Sequence, residues 1–339
     1  LDMNAGEQRV IDMSFTVERN GILHSHLNIL DSPVIFDNDF YFTLLVKDRV
    51  KVLCLNQSKE NPYLVRLFED DAQVKIDNAS FSNPNYNDFG SYSMIILNGL
   101  EEINDALANE LGKFIDNSGS LMIIPNKDMD LESVNAFLKK MSLPNYAQLK
   151  KQNLRVNKYD KENYLFKDVF TTYVENISLP NSKMYFPIIS TATTAKQSVL
   201  TYSNGEDFLA ISPKNKSNVY MLSVGLDTAF SDFVNHSLFV PLMWNMCALS
   251  EVKSNLYYTI GEREFVELGS LENNSKEKNI FSLKGKNDSL EYIPQSLKNQ
   301  NTYALKLHNQ INKAGNYDVL SEGEVVSGFS LSYSTKESI

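Results

Sequence analysis

Between residues 50 and 126, three continuous apolar runs, Val50 to Leu55, Met94 to Leu97 and Leu121 to Ile124, alternate with segments of helical period. Runs without polar alternation mark strands buried on both sides, and the segments between them mark crossover helices. The pattern therefore predicts a mostly parallel α/β sheet with helices on both faces. After the first run, Asn61-Pro62 opens a helix carrying Leu64, Val65, Leu67 and Phe68, and Gln73 to Ile76 reads as the next strand. That is one βαβ unit, right-handed by the rule for parallel crossovers. The Tyr92 to Leu97 strand leads to a helix striped by Ile103, Leu107, Leu111, Phe114 and Ile115 and stopped near Gly119. A further helix is expected from Asp130, as its N-cap, through Val134, Phe137, Leu138 and Met141, with Pro144 beyond its end.

The rhythm changes on both sides of this unit. Residues 1 to 48 read as β: Val10 to Val17, Ile22 to Leu30 and Phe40 to Val46 are β-branched and aromatic, with turns at Asn20-Gly21 and Asp37-Asn38-Asp39. This segment is too short for a sandwich of its own and is expected to be part of a larger one. Residues 145 to 198, rich in Asn, Lys and Tyr, read as an insertion or long excursion. Phe208 to Ser212 and Val219 to Val224 then form an antiparallel hairpin, and a helix from about Ser237 to Leu249 closes a central domain spanning 49 to 250. From 251 to 339, short strands at Tyr257, Glu264, Asn279, Thr302, Tyr317 and Val325, punctuated by Gly, Asn and Asp, predict a small β-sandwich of Ig-like type.

Composition narrows the function classes. With 42% hydrophobic and 22% charged residues, the 339-residue chain can bury cores, so disorder is excluded as the default. A net charge of −10 and no basic cluster longer than Lys150-Lys151 argue against a nucleic-acid surface. Cys54 and Cys247 each lie inside an apolar element, so they read as buried thiols rather than a disulfide. No signal peptide is visible, and no apolar stretch approaches the roughly 20 residues that span a bilayer. The longest, Leu238 to Leu249, contains Pro241 and Asn245. The chain opens at Leu1 among strand-like residues and is expected to be part of a longer protein.

Ligands of open α/β sheets sit at the carboxyl ends of the strands. Here those ends carry Asn56 and Gln57, Asn98 and Gly99, and Pro125 and Asn126. A hard-cation site after the first strand needs Asp-x-Ser-x-Ser, whose carboxylate and hydroxyls supply oxygen ligands. The residues present, Asn56-Gln-Ser58-Lys-Glu60, lack the leading charge and the last hydroxyl, so no metal is assigned. A strand-to-helix elbow needs Cys or Ser for attack, and Pro125-Asn126-Lys127-Asp128 offers neither. His24 and His26 share one strand face without an identifiable third ligand. His236, just before the last helix, reads as a cap or a surface residue, and His308 has no recognisable partner. Asp70-Asp71 and Glu101-Glu102 fit solvated helix faces, and most of the 17 Tyr and 19 Phe belong to cores. No catalytic residue and no cofactor is assigned. The residues left to line a ligand cleft are Asn56, Ser58, Asn98 and Asn126.

Several stretches together resemble the extracytoplasmic part of bacterial BatA-type, aerotolerance regulator-like membrane proteins. They are Asp31-Ser-Pro-Val-Ile-Phe-Asp-Asn-Asp-Phe-Tyr-Phe42, Lys51-Val-Leu-Cys-Leu-Asn56, Met94-Ile-Ile-Leu-Asn-Gly-Leu100, Gly119-Ser-Leu-Met-Ile-Ile-Pro125, Leu238-Phe-Val-Pro-Leu242 and Lys336-Glu-Ser338. The central domain is also similar to the ThuA-like branch of class I glutamine amidotransferase-like folds through Asn218-Val-Tyr-Met-Leu-Ser-Val-Gly-Leu226. The resemblance implies a flavodoxin-like sheet flanked by β-sandwich segments, on the periplasmic face of the inner membrane. Anchoring would come from segments outside this chain, and the implied partners are other envelope or membrane proteins. The branch carries Gly-His where this chain has Gly225-Leu226, so its chemistry does not carry over. The expected role is a non-catalytic interaction or scaffold module. The alternatives are a small-ligand sensor at the strand ends and, third, a divergent hydrolase or amidotransferase-like enzyme.

Overall fold

Each of the three apolar runs becomes a strand, and the chain enters them from a hairpin, β1 (Gly21–Asn28) and β2 (Asp39–Val46). The structure, a computed structural model, describes residues 10–17, 19–29, 38–46, 48–99, 101–167, 169, 177–191, 194–251, 255–271, 280–286, 291–299, 302–308 and 310–334. After the hairpin come β3 (Val50–Asn56), α1 (Pro62–Phe68), β4 (Val74–Ser80), β5 (Met94–Asn98), α2 (Asp105–Asp116), β6 (Ser120–Ile124) and α3 (Leu131–Lys140). The polar residues ahead of the helices cap them: Asn61, Asn104 and Asp130 each accept a backbone N–H from the first turn. At the end of α2 the left-handed residue is Ser118 (φ 68°), not the expected Gly119. Gly119 is needed for space, since a Cβ there would lie 2.4 Å from the Phe114 ring.

The next strands are β7 (Asn145–Tyr146), β8 (Lys150–Tyr159), β9 (Asn181–Tyr185), β10 (Ile188–Ile189), β11 (Gln197–Tyr202), β12 (Asp207–Lys214) and β13 (Ser217–Leu222), followed by α4 (Phe239–Ala248). Nine strands form one sheet in the order β4-β3-β5-β6-β13-β12-β11-β8-β9. Neighbours from β4 to β13 are parallel and those from β13 to β9 antiparallel, so every strand except β8 and β12 runs in one direction. Of residues 145–198, expected as an excursion, β8, β9 and the start of β11 thus extend the same sheet, while β7 and β10 pair with each other. These strands were hidden because β8 is exposed along most of its length and buries only Val156, leaving no apolar run to read. Of the described aromatics in this stretch, Tyr146, Phe166, Tyr185 and Phe186 are buried in the core, Tyr159 is half-buried and Tyr164 is exposed.

Val52 to Leu55 and Met94 to Leu97 are buried on both sides of their strands. The helices pack as two pairs. The indole Nε1 of Trp244 in α4 donates to Asp71 after α1 at 2.8 Å, and Tyr63 meets Phe239 edge-on. On the other pair, the Ile103 N–H before α2 donates to Ser133 of α3 at 2.8 Å, and Gly112 leaves room for Met141. Asp71 is therefore no solvated helix-face acid: its other oxygen accepts the N–H groups of Gln73 and Val74.

A second core, from Tyr258 to Leu331, lies between two sheets. Its strands are β14 (Tyr258–Thr259), β15 (Phe265–Ser270), β16 (Phe281–Gly285), β17 (Glu291–Tyr292), β18 (Gln295–Asn299), β19 (Thr302–Lys306), β20 (Gly315–Ser321) and β21 (Glu324–Ser332). The order is β14-β21-β20-β16-β17 in one sheet and β15-β19-β18 in the other. The β1–β2 hairpin lies on β20 and β21. Thr43 bonds Ser330 at 2.5 Å, Tyr41 N donates to Ser332 Oγ at 3.1 Å, and a side chain at Gly328 would strike Ile22 and His24. Val10 to Val17, expected as a strand, has no regular structure and exposes Ile11, Met13 and Phe15. The period-two pattern was present, but no described strand pairs with it. Much of the Asp31 to Phe42 motif, Leu100 and the Lys336 to Ser338 motif lie outside the described residues.

Candidate functional site

In the parallel half, the chain leaves β3 to one side for β4 and then crosses to the other side for β5. The topological switch point is therefore between β3 and β5, and the register places Asn56 directly beside Asn98 there. Both strands end where the sequence placed them. What those amides do is set by their partners.

Asn56 is 3% exposed. Its Nδ2 donates to Asn78 Oδ1 at 2.9 Å and to the Cys54 carbonyl at 3.3 Å. Its Oδ1 accepts from Asn98 Nδ2 at 2.7 Å and from the Cys54 thiol at 3.4 Å. Both donors and both lone pairs of this amide are thus occupied by protein. Asn98 retains its Oδ1 and one N–H with no partner among the described residues. Burial pushes the Cys54 thiol up to about 12, the Asn56 bond opposing this only in part, so it is no nucleophile near neutral pH.

Asn126 sits apart from this pair and serves the neighbouring loop. Its Nδ2 donates to the Gly99 carbonyl at 3.1 Å and its Oδ1 accepts the Asp128 N–H at 3.3 Å. Gly99 itself has φ +63°, a conformation that favours glycine, and donates its N–H to Ile124 at 2.9 Å. The elbow after β6 is thus an asparagine-held turn. Ser58 lies in the exposed loop after β3, and no hydrogen bond joins it to the three asparagines. The structure brings Asn56 and Asn98 together, places Asn126 one strand away and leaves Ser58 in solvent.

At the end of β13 a Cβ on Gly225 would approach the Pro125 carbonyl to 3.0 Å and the Phe230 ring to 2.9 Å, so this position has little room for any side chain. Asn61 Nδ2, donating to the Leu226 carbonyl at 3.2 Å, ties this loop to the start of α1. His236 turns Nδ1 to the Leu238 N–H at 3.2 Å, and burial holds its imidazole below the ordinary histidine range. His24 and His26 face the same way but bind different acids: His24 Nε2 lies 2.8 Å from Asp318 and His26 Nε2 lies 2.6 Å from Asp39. His308 meets Gln295 at the surface. Among the described residues no cluster of His, Cys, Asp and Glu could hold a metal ion.

Sequence reasoning missed Asn78 and, though it placed Gln57 at the end of β3, gave it no role. Asn78 completes the Asn56 network, and Gln57 Oε1 accepts the Glu101 N–H at 3.2 Å, bridging the loops after β3 and β5. Only the pairing register could have revealed Asn78, which stands opposite Cys54 across the ladder. A buried chain from Ser182 through Tyr202 to Ser223 was also invisible, because each residue comes from a different strand or loop. Two surface depressions lie at the amino ends of the strands instead. One is bounded by Arg49, Phe68 and Val74, and the other by the ends of α2 and α3 with Lys214.

No family model matches this chain, and no curated protein matches it. Among solved structures it is similar to a cytoplasmic protein from Salmonella typhimurium LT2, at 12% identity and a TM-score of 0.43 over 69% of this chain and 98% of that one. It is also similar to a ThuA-like protein from Bacteroides uniformis, at 14% identity and 0.42 over 58% and 88%. A GMP synthase-type protein from Thermoplasma acidophilum aligns at 8% identity and 0.39 over 60% and 94%. Likenesses at this level assign neither family nor activity.

Proposed function

We propose that this chain is a non-catalytic interaction module of a membrane-anchored protein facing the periplasm, built on an amidotransferase-like frame. One observation carries the reading: the amide at the switch point, Asn56, has every donor and acceptor bonded to protein, where a reactive or charged group would be needed for chemistry. The neighbouring thiol is buried and raised, and the elbow after β6 holds an asparagine turn. No group bonded within this network changes protonation near neutral pH, so it offers no general acid or base. The envelope setting rests on the resemblance to BatA-type proteins. No helix among the described residues is long and apolar enough to cross a membrane, so anchoring would belong to other segments. Purified protein assayed against amide, ester and glycoside substrates should show no turnover; turnover that disappears on Asn126→Ala overturns the reading.

The second reading, recognition of a small polar ligand at the strand ends, has one observation in its favour, the Oδ1 and N–H of Asn98 that no described residue bonds. A thermal-shift panel of metabolites, sugars and peptidoglycan fragments tests it. A reproducible shift lost on Asn98→Ala supports it, and no shift across the panel counts against it.

A further inference from the structure

The two edges of the nine-stranded sheet are finished differently. At the β9 edge the backbone is covered by the segment from Asp227 to Asp232. Lys183 and Met184 donate their N–H groups to the Phe230 carbonyl at 2.7 and 3.3 Å, Asp232 donates to the Asn181 carbonyl at 3.0 Å, and Ser182 and Ser231 form a β-bridge. At the opposite edge β4 pairs with β3 along its whole length, from Val74 to Ser80; on its outer side Asp71 accepts the Val74 N–H and Asn83 donates to the Ser80 carbonyl, but no described residue bonds the outward main-chain groups of Ile76 and Asn78 between them. Strand geometry turns alternate N–H and C=O groups of an edge strand outward, where they form a template for another strand.

Beside this edge runs a groove of about 270 Å³ between α1 and β4. Val65 and Ile76 give its accessible apolar wall over the buried Phe68 and Val74, and Glu69 lines it as well. At its margin Arg49 is exposed and makes no hydrogen bond or ion pair among the described residues. Its charge acts only at longer range on Asp71. Lys75, which is 53% exposed and paired with Asp77 at 3.2 Å, is a charged guard of the kind that discourages indiscriminate pairing of open edges. An edge strand, an adjoining helix with an apolar wall, and an unpaired guanidinium together match the strand-addition mode of peptide recognition. In that mode main-chain bonds hold the peptide and pockets choose its side chains.

We infer that the outer edge of β4 and the α1 groove receive an extended segment of a partner protein. The segment adds as one more strand, sets alternate apolar side chains on Val65 and Ile76, and brings a carboxylate to Arg49. The inference rests on the interaction reading and names its surface. A failed peptide test leaves the turnover assay untouched, so the two claims fail separately.

The probe is a displayed library of eight-residue peptides selected on the full chain, followed by synthesis of the enriched sequences. Enriched peptides should alternate apolar residues and contain Asp or Glu. They should slow amide exchange of residues 74–80 at least about tenfold, and Arg49→Glu should weaken them at least about tenfold while Arg49→Lys retains most of the affinity. Arg49 is exposed, so both variants should fold. Three outcomes overturn the inference: no enrichment, peptides that protect other residues or ignore Arg49→Glu, and concentration-dependent dimers that protect 74–80 without peptide, which would make the occupant a second copy.

Discussion

At the carboxyl ends of β3 and β5 the polar groups are bonded to one another, whereas at Ile76 and Asn78 on the outer side of β4, one strand away, main-chain groups have no protein partner among the described residues. Asn78 belongs to both regions: its side-chain carbonyl accepts from Asn56, and its residue lines the α1 groove. The switch point is where doubly wound sheets bind their ligands, yet here its central amide has no capacity left. The edge carries an apolar wall and a cation that no described residue pairs. Position in a fold marks where a site is easy to build; the hydrogen-bonding capacity left over decides whether one is there.

The largest effect should come from removing the centre of the amide network. Asn56→Ala leaves the half-buried Asn98 and Asn78 each short of a partner and opens a cavity where Asn56 is buried. It should lower stability by about 2–4 kcal/mol in urea unfolding followed by Trp244 emission. A neutral result would break the comparison, since the amides would then not be structural.

Asp71 gives a smaller effect with a defined pH dependence. Burial alone would raise its carboxyl, but the N–H groups of Gln73 and Val74 and the indole of Trp244 hold it below the ordinary carboxylate range. A depressed folded-state pKa adds stability that is complete above the unfolded value, about 3.9, and lost as the pH falls through the folded value. The chain's one Trp bonds this carboxylate, so its emission between pH 7 and 2 should report the loss directly. Asp71→Ala should cost about 1 kcal/mol at pH 7 and remove that step from the titration.

The smallest effects should fall on groups that this account leaves outside any site. Ser58→Ala should change stability by less than about 0.5 kcal/mol and leave peptide selection unchanged. Cys54 and Cys247 are buried with raised thiols, so alkylation at pH 8 should proceed only as fast as the chain unfolds. Rapid labelling of the folded chain would show that the end of β3 is open.

How much of this was legible depended on whether a residue's role is local. The β3, β5 and β6 runs, the Asn61-Pro62 start of α1 and the Asp130 cap of α3 are readable because burial on both sides and helix capping leave marks within a few residues. In the antiparallel half the β12–β13 hairpin was readable from its apolar runs, but β8 left no such mark, since it meets solvent at most of its positions. The reverse failure is Val10 to Val17, which has the alternation of a strand without a partner among the described strands. In the candidate site the location of Asn56, Asn98 and Asn126 was readable from the strand ends. Their roles were not, because Asn78 reaches Asn56 from 22 positions away and Asp71 reaches Trp244 from 173.

The central claim is that Asn56 and Asn98 hold each other rather than a substrate or ligand. A double-mutant cycle with Asn56→Ala, Asn98→Ala and the pair, read by urea unfolding, tests it most directly. The account predicts a coupling of at least about 1 kcal/mol, the second substitution costing much less once the first is made. Additive losses within about 0.3 kcal/mol would contradict it and return both amides to the status of groups available for a ligand.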